Sequence, residues 1–179
     1  MKDIISVMIP EDELQKRIAE LGAEITKDFE GEPVHLVCIL KGSVFFTCAL
    51  AQQIKLPLTM DFMRVASYGE GTTSSGIVRL SKDLDDSIEG KNVVVIEDIV
   101  DTGRTLKYLL GLLSQRKPKA LKLCTLLSKP ARRVTEIEGD YTGFEIPDKF
   151  VVGYGLDFAE HYRNLPYIGV IEELGDERE

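Results

Sequence analysis

The residues best able to do chemistry in this chain lie in one stretch, where an apolar run ends in acidic side chains. Residues 93–96 are apolar, Glu97 and Asp98 follow directly, and Asp101 comes three residues later. Ligands of α/β sheets sit beyond the carboxyl ends of the strands, so this order places the three carboxylates on the rim of a site. Carboxylates there can accept hydrogen bonds from sugar hydroxyls or help to hold Mg²⁺.

A short loop follows the acidic residues and opens a helical pattern. It consists of Thr102, Gly103, Arg104 and Thr105. Free backbone N–H groups and the dipole at the start of a helix favour an anion. The sequence therefore predicts a phosphate cradle beside the carboxylates, a combination that suits a phosphorylated ribose.

Other protein classes share parts of this pattern. Acidic residues at the end of a buried strand also occur in receiver domains and in magnesium-dependent phosphatases, and a strand, loop and helix with one glycine is ordinary in α/β folds. Neither Gly-x-x-x-x-Gly-Lys-Ser/Thr nor Gly-x-Gly-x-x-Gly is present. A nucleoside triphosphate or dinucleotide fold is therefore not indicated.

The bulk composition predicts one globular domain over residues 1–179. The chain is 44% hydrophobic and 29% charged, which are globular values. No apolar run has the length needed to cross a bilayer, and the three cysteines lack Cys-x-x-Cys spacing. We therefore expect a cytoplasmic protein with reduced thiols and no membrane partner.

The net charge of −8 bears on the choice of partner. Nucleic acid binds to a basic face, so an acidic chain opposes a nucleic-acid partner. The same charge opposes a phosphate substrate, which must therefore be held by local groups and a metal ion.

Helical and strand patterns alternate along the chain, which predicts an α/β fold with a mostly parallel β-sheet flanked by helices. Helices are predicted from Pro10, from Val44 to about Gln53, and from the acidic stretch to Pro118. Strands are predicted at residues 34–40, 58–65, 77–80, 93–96, 120–127, 150–152 and 167–171. Residues 131–149 show no clear period and are interpreted as irregular.

Other candidate site residues follow predicted strands. Lys41 and Gly42 follow the strand at 34–40, although a simple strand-to-helix turn explains them equally well. Lys129 closes a later strand and could be merely its first solvated residue. An aromatic residue, two glycines and an isolated acid in residues 150–157 suggest a pocket for a flat ligand, and Arg163 is a candidate phosphate fork.

A polar loop at residues 67–76 holds three glycines and four consecutive hydroxyl residues. Its composition alone indicates an irregular hairpin loop. A long polar loop in a compact domain is nonetheless often a lid.

Together these stretches resemble the type I phosphoribosyltransferases, and within them the bacterial hypoxanthine-guanine phosphoribosyltransferases. Residues 93–105 match the family motif of a hydrophobic strand, Glu-Asp, two apolar residues and Asp-Thr-Gly-x-Thr, and residues 144–154 are typical of the purine branch. The resemblance implies a parallel sheet with a small hood. It also implies purine salvage: the 5-phosphoribosyl group of 5-phosphoribosyl 1-diphosphate is transferred, with Mg²⁺, to hypoxanthine or guanine, giving IMP or GMP and pyrophosphate.

The resemblance also implies roles for the residues around the sugar. Glu97 and Asp98 would bind the ribose hydroxyls and orient the water shell of a magnesium ion. Residues 101–105 would hold the 5-phosphate, and Asp101 would in addition act as general base at N7 of the purine. Asp157 would help to hold a second magnesium ion.

For the base and the leaving group, the resemblance implies further contacts. Lys129 would donate to the 6-oxo group, Phe150 would stack on the ring, and Val151 would contact the base through its backbone. Arg163 would meet the pyrophosphate together with Lys41 and Gly42. A lid containing Ser67 and Tyr68 would exclude water.

The resemblance leaves an alternative function: a regulatory protein that senses 5-phosphoribosyl 1-diphosphate. Relatives of that kind carry a basic face or an added DNA-binding domain, and this acidic chain shows neither. A receiver domain would have no use for the Thr-Gly-Arg-Thr loop or for residues 150–163. Relatives form dimers or tetramers, so we expect a homodimer or a homotetramer, while the preference among hypoxanthine, guanine and xanthine stays open.

Overall fold

A computed structural model describes residues 4–67 and 78–173 of the chain. Its strands are β1 (Ile4–Ile9), β2 (Val34–Leu40), β3 (Leu58–Ser67), β4 (Val78–Lys82), β5 (Asn92–Val100), β6 (Ala120–Ser128), β7 (Tyr141–Glu145), β8 (Val151–Val152) and β9 (Ile168–Glu173). Its α-helices are α1 (Glu11–Asp28), α2 (Val44–Gln53) and α3 (Arg104–Ser114), and a 3₁₀ turn spans Pro130–Arg132.

The main sheet has six strands in the order β4-β3-β2-β5-β6-β7. All neighbouring pairs are parallel except β3 and β4, which are antiparallel. The prediction of a mostly parallel sheet flanked by helices is therefore confirmed. No helix among residues 4–67 and 78–173 is long and apolar enough to span a membrane.

The core lies on both faces of this sheet because the central strands carry apolar side chains on both faces. Along β5, Val94 and Ile96 pack on the side of α1 and α2, whereas Val93 and Val95 pack on the side of α3. Each buried aliphatic side chain stabilises the fold by about 1.5–3 kcal/mol, so β5 is anchored firmly from both sides.

A second, smaller sheet has the order β1-β9-β8 and is antiparallel throughout. It pairs the start of the described chain with its end, through registers such as Ile5 with Ile171. Because Val151 of β8 pairs with Val170, this sheet fixes the position of the strand from which the rest of residues 150–163 extends.

The structure corrects two predictions. β5 continues to Val100, because Val100 still pairs with Ser128 of β6, so Glu97 and Asp98 lie inside the strand rather than after it. The interpretation of residues 131–149 as irregular was wrong, since β7 lies within them. Gly143 of β7 approaches β6 so closely that a Cβ there would overlap the carbonyl oxygen of Leu126, which explains a residue with no strand preference.

Candidate active site

The carboxylates predicted from the sequence line a cavity of about 270 Å³ at the carboxyl ends of β2 and β5. Its polar lining consists of Glu97, Asp98, Asp101, Thr102, Gly103 and Thr105. Parallel strands end at the same edge of a sheet, and the topology therefore brings acidic strand residues and a helix start to one place. Arg104 is exposed and does not line the cavity.

The anion-binding end of this cavity depends on Gly103. This residue has φ +81° and precedes α3, and a Cβ on it would overlap the hydroxyl of Thr135. The amide of Lys107 donates to the carbonyl of Gly103 at 2.9 Å. The amide of Arg104 donates to the hydroxyl of Thr102 at 3.5 Å. The other N–H groups of the first helical turn lack acceptors within the helix, so they remain available to an anion.

Glu97 and Asp98 form an electrostatically strained pair. Burial, and then the negative charge of Asp98, raise the pKa of Glu97 well above its ordinary value. Burial also raises the pKa of Asp98, whose Oδ1 accepts the amide of Ile99 at 2.7 Å. A cation or a hydrogen-bond donor entering the cavity would relieve both groups.

The donor set at this end of the cavity fits Mg²⁺, which prefers oxygen ligands and is commonly bound through one or two carboxylates plus waters and substrate oxygens. Residues 4–67 and 78–173 contain no cluster of three or more histidine, cysteine, aspartate or glutamate side chains suited to a metal. An ion here would therefore depend on the carboxylate pair and on oxygens of the substrate.

The turn after β2 packs directly against Asp98. It contains a cis peptide bond between Leu40 and Lys41, and a Cβ on Gly42 would overlap Oδ2 of Asp98. On the other side, a Cβ on Gly155 would overlap the carbonyl oxygen of Gly42. Gly42 is thus held between the acidic strand and the segment that follows β8.

A cationic corner adjoins this turn. Arg163 donates from Nη1 to the carbonyl of Gly155 at 2.7 Å and pairs from Nη2 with Oδ1 of Asp157 at 2.9 Å. Its Nε is buried and has no hydrogen-bond partner among the described residues. Lys41 pairs with Glu160 at 3.0 Å. The unsatisfied Nε and the adjacent ammonium group can serve an anionic oxygen.

Asp157 is already engaged on both oxygens in this arrangement. Oδ1 pairs with Arg163, and Oδ2 accepts the amide of Glu160 at 2.8 Å. Its role as a second magnesium ligand stays a prediction. Glu160 was not predicted, because no pattern within residues 150–163 points to it.

The residues assigned to the base differ in exposure. The Lys129 side chain is 9% exposed, and its Nζ lies 3.9 Å from Oδ1 of Asp148. Phe150 is 54% exposed and meets Phe158 edge to face at 5.3 Å between ring centroids. Val151 is buried in β8. A large exposed aromatic ring beside a buried strand suits stacking on a flat ligand.

Two arginines that the sequence reasoning missed surround Asp101. Nε of Arg132 lies 2.8 Å from Oδ1 of Asp101, and this negative charge, followed by Asp148, raises the pKa of Arg132. Arg133 donates from Nη1 to the backbone carbonyl of Asp101 at 2.6 Å and from Nη2 to the hydroxyl of Ser128 at 2.7 Å. Both arginines fall in the segment without a clear period, so no pattern pointed to them.

The structure describes only one of the two residues named for the predicted lid. Ser67 is the last residue of β3, whereas Tyr68 lies outside the described residues.

Comparison with known proteins agrees with this geometry. A family model described as the phosphoribosyl transferase domain matches residues 10–159. Over 170 residues the chain is 52% identical to hypoxanthine-guanine phosphoribosyltransferase of Bacillus subtilis, covering 95% of this chain and 94% of the relative. It is 56% identical over 170 residues to the bifunctional protein TilS/HprT of Listeria monocytogenes, covering 95% of this chain but only 26% of that protein.

Solved structures give the same result. A hypoxanthine-guanine phosphoribosyltransferase from Bacillus anthracis superposes with a TM-score of 0.89 at 49% identity, covering 93% of this chain and 98% of that one. A hypoxanthine phosphoribosyltransferase from Staphylococcus aureus gives a TM-score of 0.90 at 51% identity, covering 93% of this chain and 91% of that one.

Proposed function

The chain belongs to the phosphoribosyltransferase family, and from that premise we propose that it transfers the 5-phosphoribosyl group of 5-phosphoribosyl 1-diphosphate to hypoxanthine or guanine. The products are IMP or GMP and pyrophosphate, and the reaction serves purine salvage in the cytoplasm. The observation that carries this proposal is the cavity in which two adjacent carboxylates meet the start of α3.

The sugar phosphate is bound by two complementary ends of this cavity. Glu97 and Asp98 accept hydrogen bonds from the ribose hydroxyls, which lowers the cost of burying the two carboxylates side by side. The N–H groups and hydroxyls of residues 101–105 bind the 5-phosphate, where the helix dipole favours its negative charge.

The leaving group departs toward the cationic corner. Arg163 donates from its unpaired Nε to a phosphate oxygen. Lys41 lies close to Arg163, because both side chains pair with Glu160. Glu97, Asp98 and Asp157 are proposed to hold Mg²⁺, which when bound neutralises negative charge on the pyrophosphate. These local charges offset the acidity of the whole chain.

The base is bound on the opposite side of the ribose. Phe150 stacks on the ring, the backbone of Val151 contacts its edge, and Lys129 donates to the 6-oxo group. Adenine carries an amino donor at that position, so a lysine there disfavours it. Ser67 and Tyr68 are proposed to close over the site and exclude water from the reacting sugar.

Bond formation is coupled to loss of one proton from the base. A ring nitrogen attacks C1′ of the ribose, the C1′–O bond breaks, and its electron pair leaves with pyrophosphate. Asp101 accepts the proton from N7. A carboxylate within hydrogen-bond reach of that proton can act as the general base.

The test is release of pyrophosphate from the full chain supplied with 5-phosphoribosyl 1-diphosphate, Mg²⁺ and a panel of bases. We expect release with hypoxanthine or guanine and much less with adenine. A chain that bound 5-phosphoribosyl 1-diphosphate but released no pyrophosphate with any base would instead be a sensing protein. Light scattering on the same sample tests the proposed homodimer or homotetramer.

A further inference from the structure

Arg132 has no role in the reaction as proposed, yet it lies between two acidic residues of the site. Its Nε is 2.8 Å from Oδ1 of Asp101, and its Nη1 is 3.4 Å from Oδ1 of Asp148. Arg132 ends the 3₁₀ turn Pro130–Arg132, which directly follows Lys129. The guanidinium therefore connects the proposed proton acceptor to the side of the site that reads the base.

These ion pairs are poorly placed to stabilise the fold. The side chains of Arg132, Asp101 and Asp148 are 47%, 41% and 52% exposed, and ion pairs between groups exposed to that degree contribute little to stability. The backbone around Asp101 is moreover fixed by other contacts. Arg133 binds its carbonyl, and the amide of Val134 donates to the carbonyl of Thr102 at 3.1 Å. What Arg132 adds is control of the Asp101 side chain alone.

The geometry of the Asp101 carboxylate suits a general base. Oδ1 is buried and faces Nε of Arg132, but it makes no well-aligned hydrogen bond within the described residues. Arg132 thus locates Oδ1 by charge, while the 41% exposure of the Asp101 side chain belongs to its other atoms, Oδ2 among them, so the carboxylate stays accessible to a donor. A general base must lie within hydrogen-bond reach of the proton that it takes, so fixing its rotamer affects the rate of the chemical step.

Asp148 extends this arrangement to the base-reading lysine. Its Oδ1 lies 3.4 Å from Arg132 and 3.9 Å from Lys129. Four side chains of alternating charge, Asp101, Arg132, Asp148 and Lys129, therefore form a continuous chain, and its two ends contact the same purine in the proposed reaction.

We propose that Arg132 is a positioning residue that holds the Asp101 carboxylate in the orientation needed to accept the proton of the base. This inference rests on the proposed function, since it needs a base bound between Asp101 and Lys129. It assigns the rate effect to the side-chain rotamer of Asp101, separate from binding of the sugar phosphate.

The experiment compares Arg132→Gln and Arg132→Lys with the unmodified full chain in single-turnover formation of IMP. General-base catalysis is worth about 10²–10⁴-fold, and a misplaced base should forfeit part of it, so we expect Arg132→Gln to slow this step about tenfold. KM for 5-phosphoribosyl 1-diphosphate should stay within about twofold, and Arg132→Lys should recover part of the rate because it keeps the charge.

A double-mutant cycle identifies the path of the effect. In an Asp101→Asn background, Arg132→Gln should have almost no further effect on the rate, because its target is already gone. Arg116→Gln is the matched control: Arg116 also forms an ion pair, with Asp83 at 2.7 Å, but follows the far end of α3, so its rate should equal that of the unmodified chain.

The outcomes separate this inference from the proposed function. An unmodified chain without turnover would overturn both. Three results would overturn the positioning role alone. Arg132→Gln could leave the turnover rate unchanged, it could lower the rate equally in the Asp101→Asn background, or it could affect turnover only through a higher KM for 5-phosphoribosyl 1-diphosphate.

Discussion

Replacing Gly42 with alanine should disrupt the packing of the turn after β2 against Asp98 in the site. The new Cβ would overlap Oδ2 of Asp98 and lie 2.7 Å from its Cγ. The turn cannot retreat, because Gly155 packs against the carbonyl oxygen of Gly42 on the other side. The Asp98 side chain must therefore rotate away.

The size of the effect follows from what that rotation breaks. Oδ1 of Asp98 accepts the amide of Ile99 at 2.7 Å, and a hydrogen bond to a charged group contributes about 1.5–3 kcal/mol. For a chain of this length, 1 kcal/mol lowers Tm by about 2–4 °C, so a loss of about 2 kcal/mol should lower Tm by about 4–8 °C. Because Asp98 is also proposed to bind the ribose, kcat/KM for 5-phosphoribosyl 1-diphosphate should fall about 100-fold, equivalent to about 2.7 kcal/mol.

The assays are thermal unfolding and steady-state pyrophosphate release. Gly111→Ala is the control, since a Cβ on Gly111 in α3 meets nothing within 4 Å and alanine stabilises a helix interior by about 1 kcal/mol relative to glycine. Its Tm should stay level or rise, with kcat/KM unchanged. A Gly42→Ala variant that matched the unmodified chain in both Tm and kcat/KM would refute the contact between Gly42 and Asp98.

Three further outcomes follow from single residues. Asp101→Asn should leave folding and phosphate binding nearly intact but lower kcat by about 10²–10⁴-fold, and near-normal turnover would remove Asp101 from the role of base. Lys129→Gln should lower the ratio of kcat/KM for hypoxanthine to that for adenine, because an amide can donate or accept at the 6-position; an unchanged ratio would contradict the assignment. Asp61 is 5% exposed; burial alone would raise its pKa, but the amides of Phe62, Asp85 and Asp86 and the charge of Lys82 outweigh burial and lower it. Its stabilisation is therefore present above its ordinary pKa of 3.8 and lost as pH falls below it. Asp61→Asn should lower Tm at pH 7 by about 2–8 °C, for a loss of about 1–2 kcal/mol. The difference in Tm between the variant and the unmodified chain should become smaller as the pH falls from 5 to about 2. A difference in Tm that does not change with pH would contradict this assignment.

The sequence alone determined the central unit of strand, acidic residues, loop and helix. An apolar run ending in Glu97 and Asp98, followed by a glycine and a helical period, is a local signal: each part depends on neighbouring residues and on elementary backbone preferences. For the same reason α1 begins beside its predicted start at Pro10, and α2 has its predicted bounds of Val44 and Gln53. Because parallel strands share one carboxyl edge, local order was enough to predict that Glu97, Asp98 and Asp101 would line one cavity, although Arg104 does not line it.

Tertiary structure decided what depends on contacts distant in sequence. β7 exists as a strand through its pairing with β6, and β1 through its pairing with β9, across more than 150 residues. Likewise, the contacts of Gly155 with Gly42 and of Arg132 with Asp101 join segments whose local sequences do not predict that they meet. A side chain's partners across the fold are fixed by packing rather than by its neighbours in the chain. The position of Arg132 beside Asp101 therefore depends on the assembled sheet and not on the local sequence.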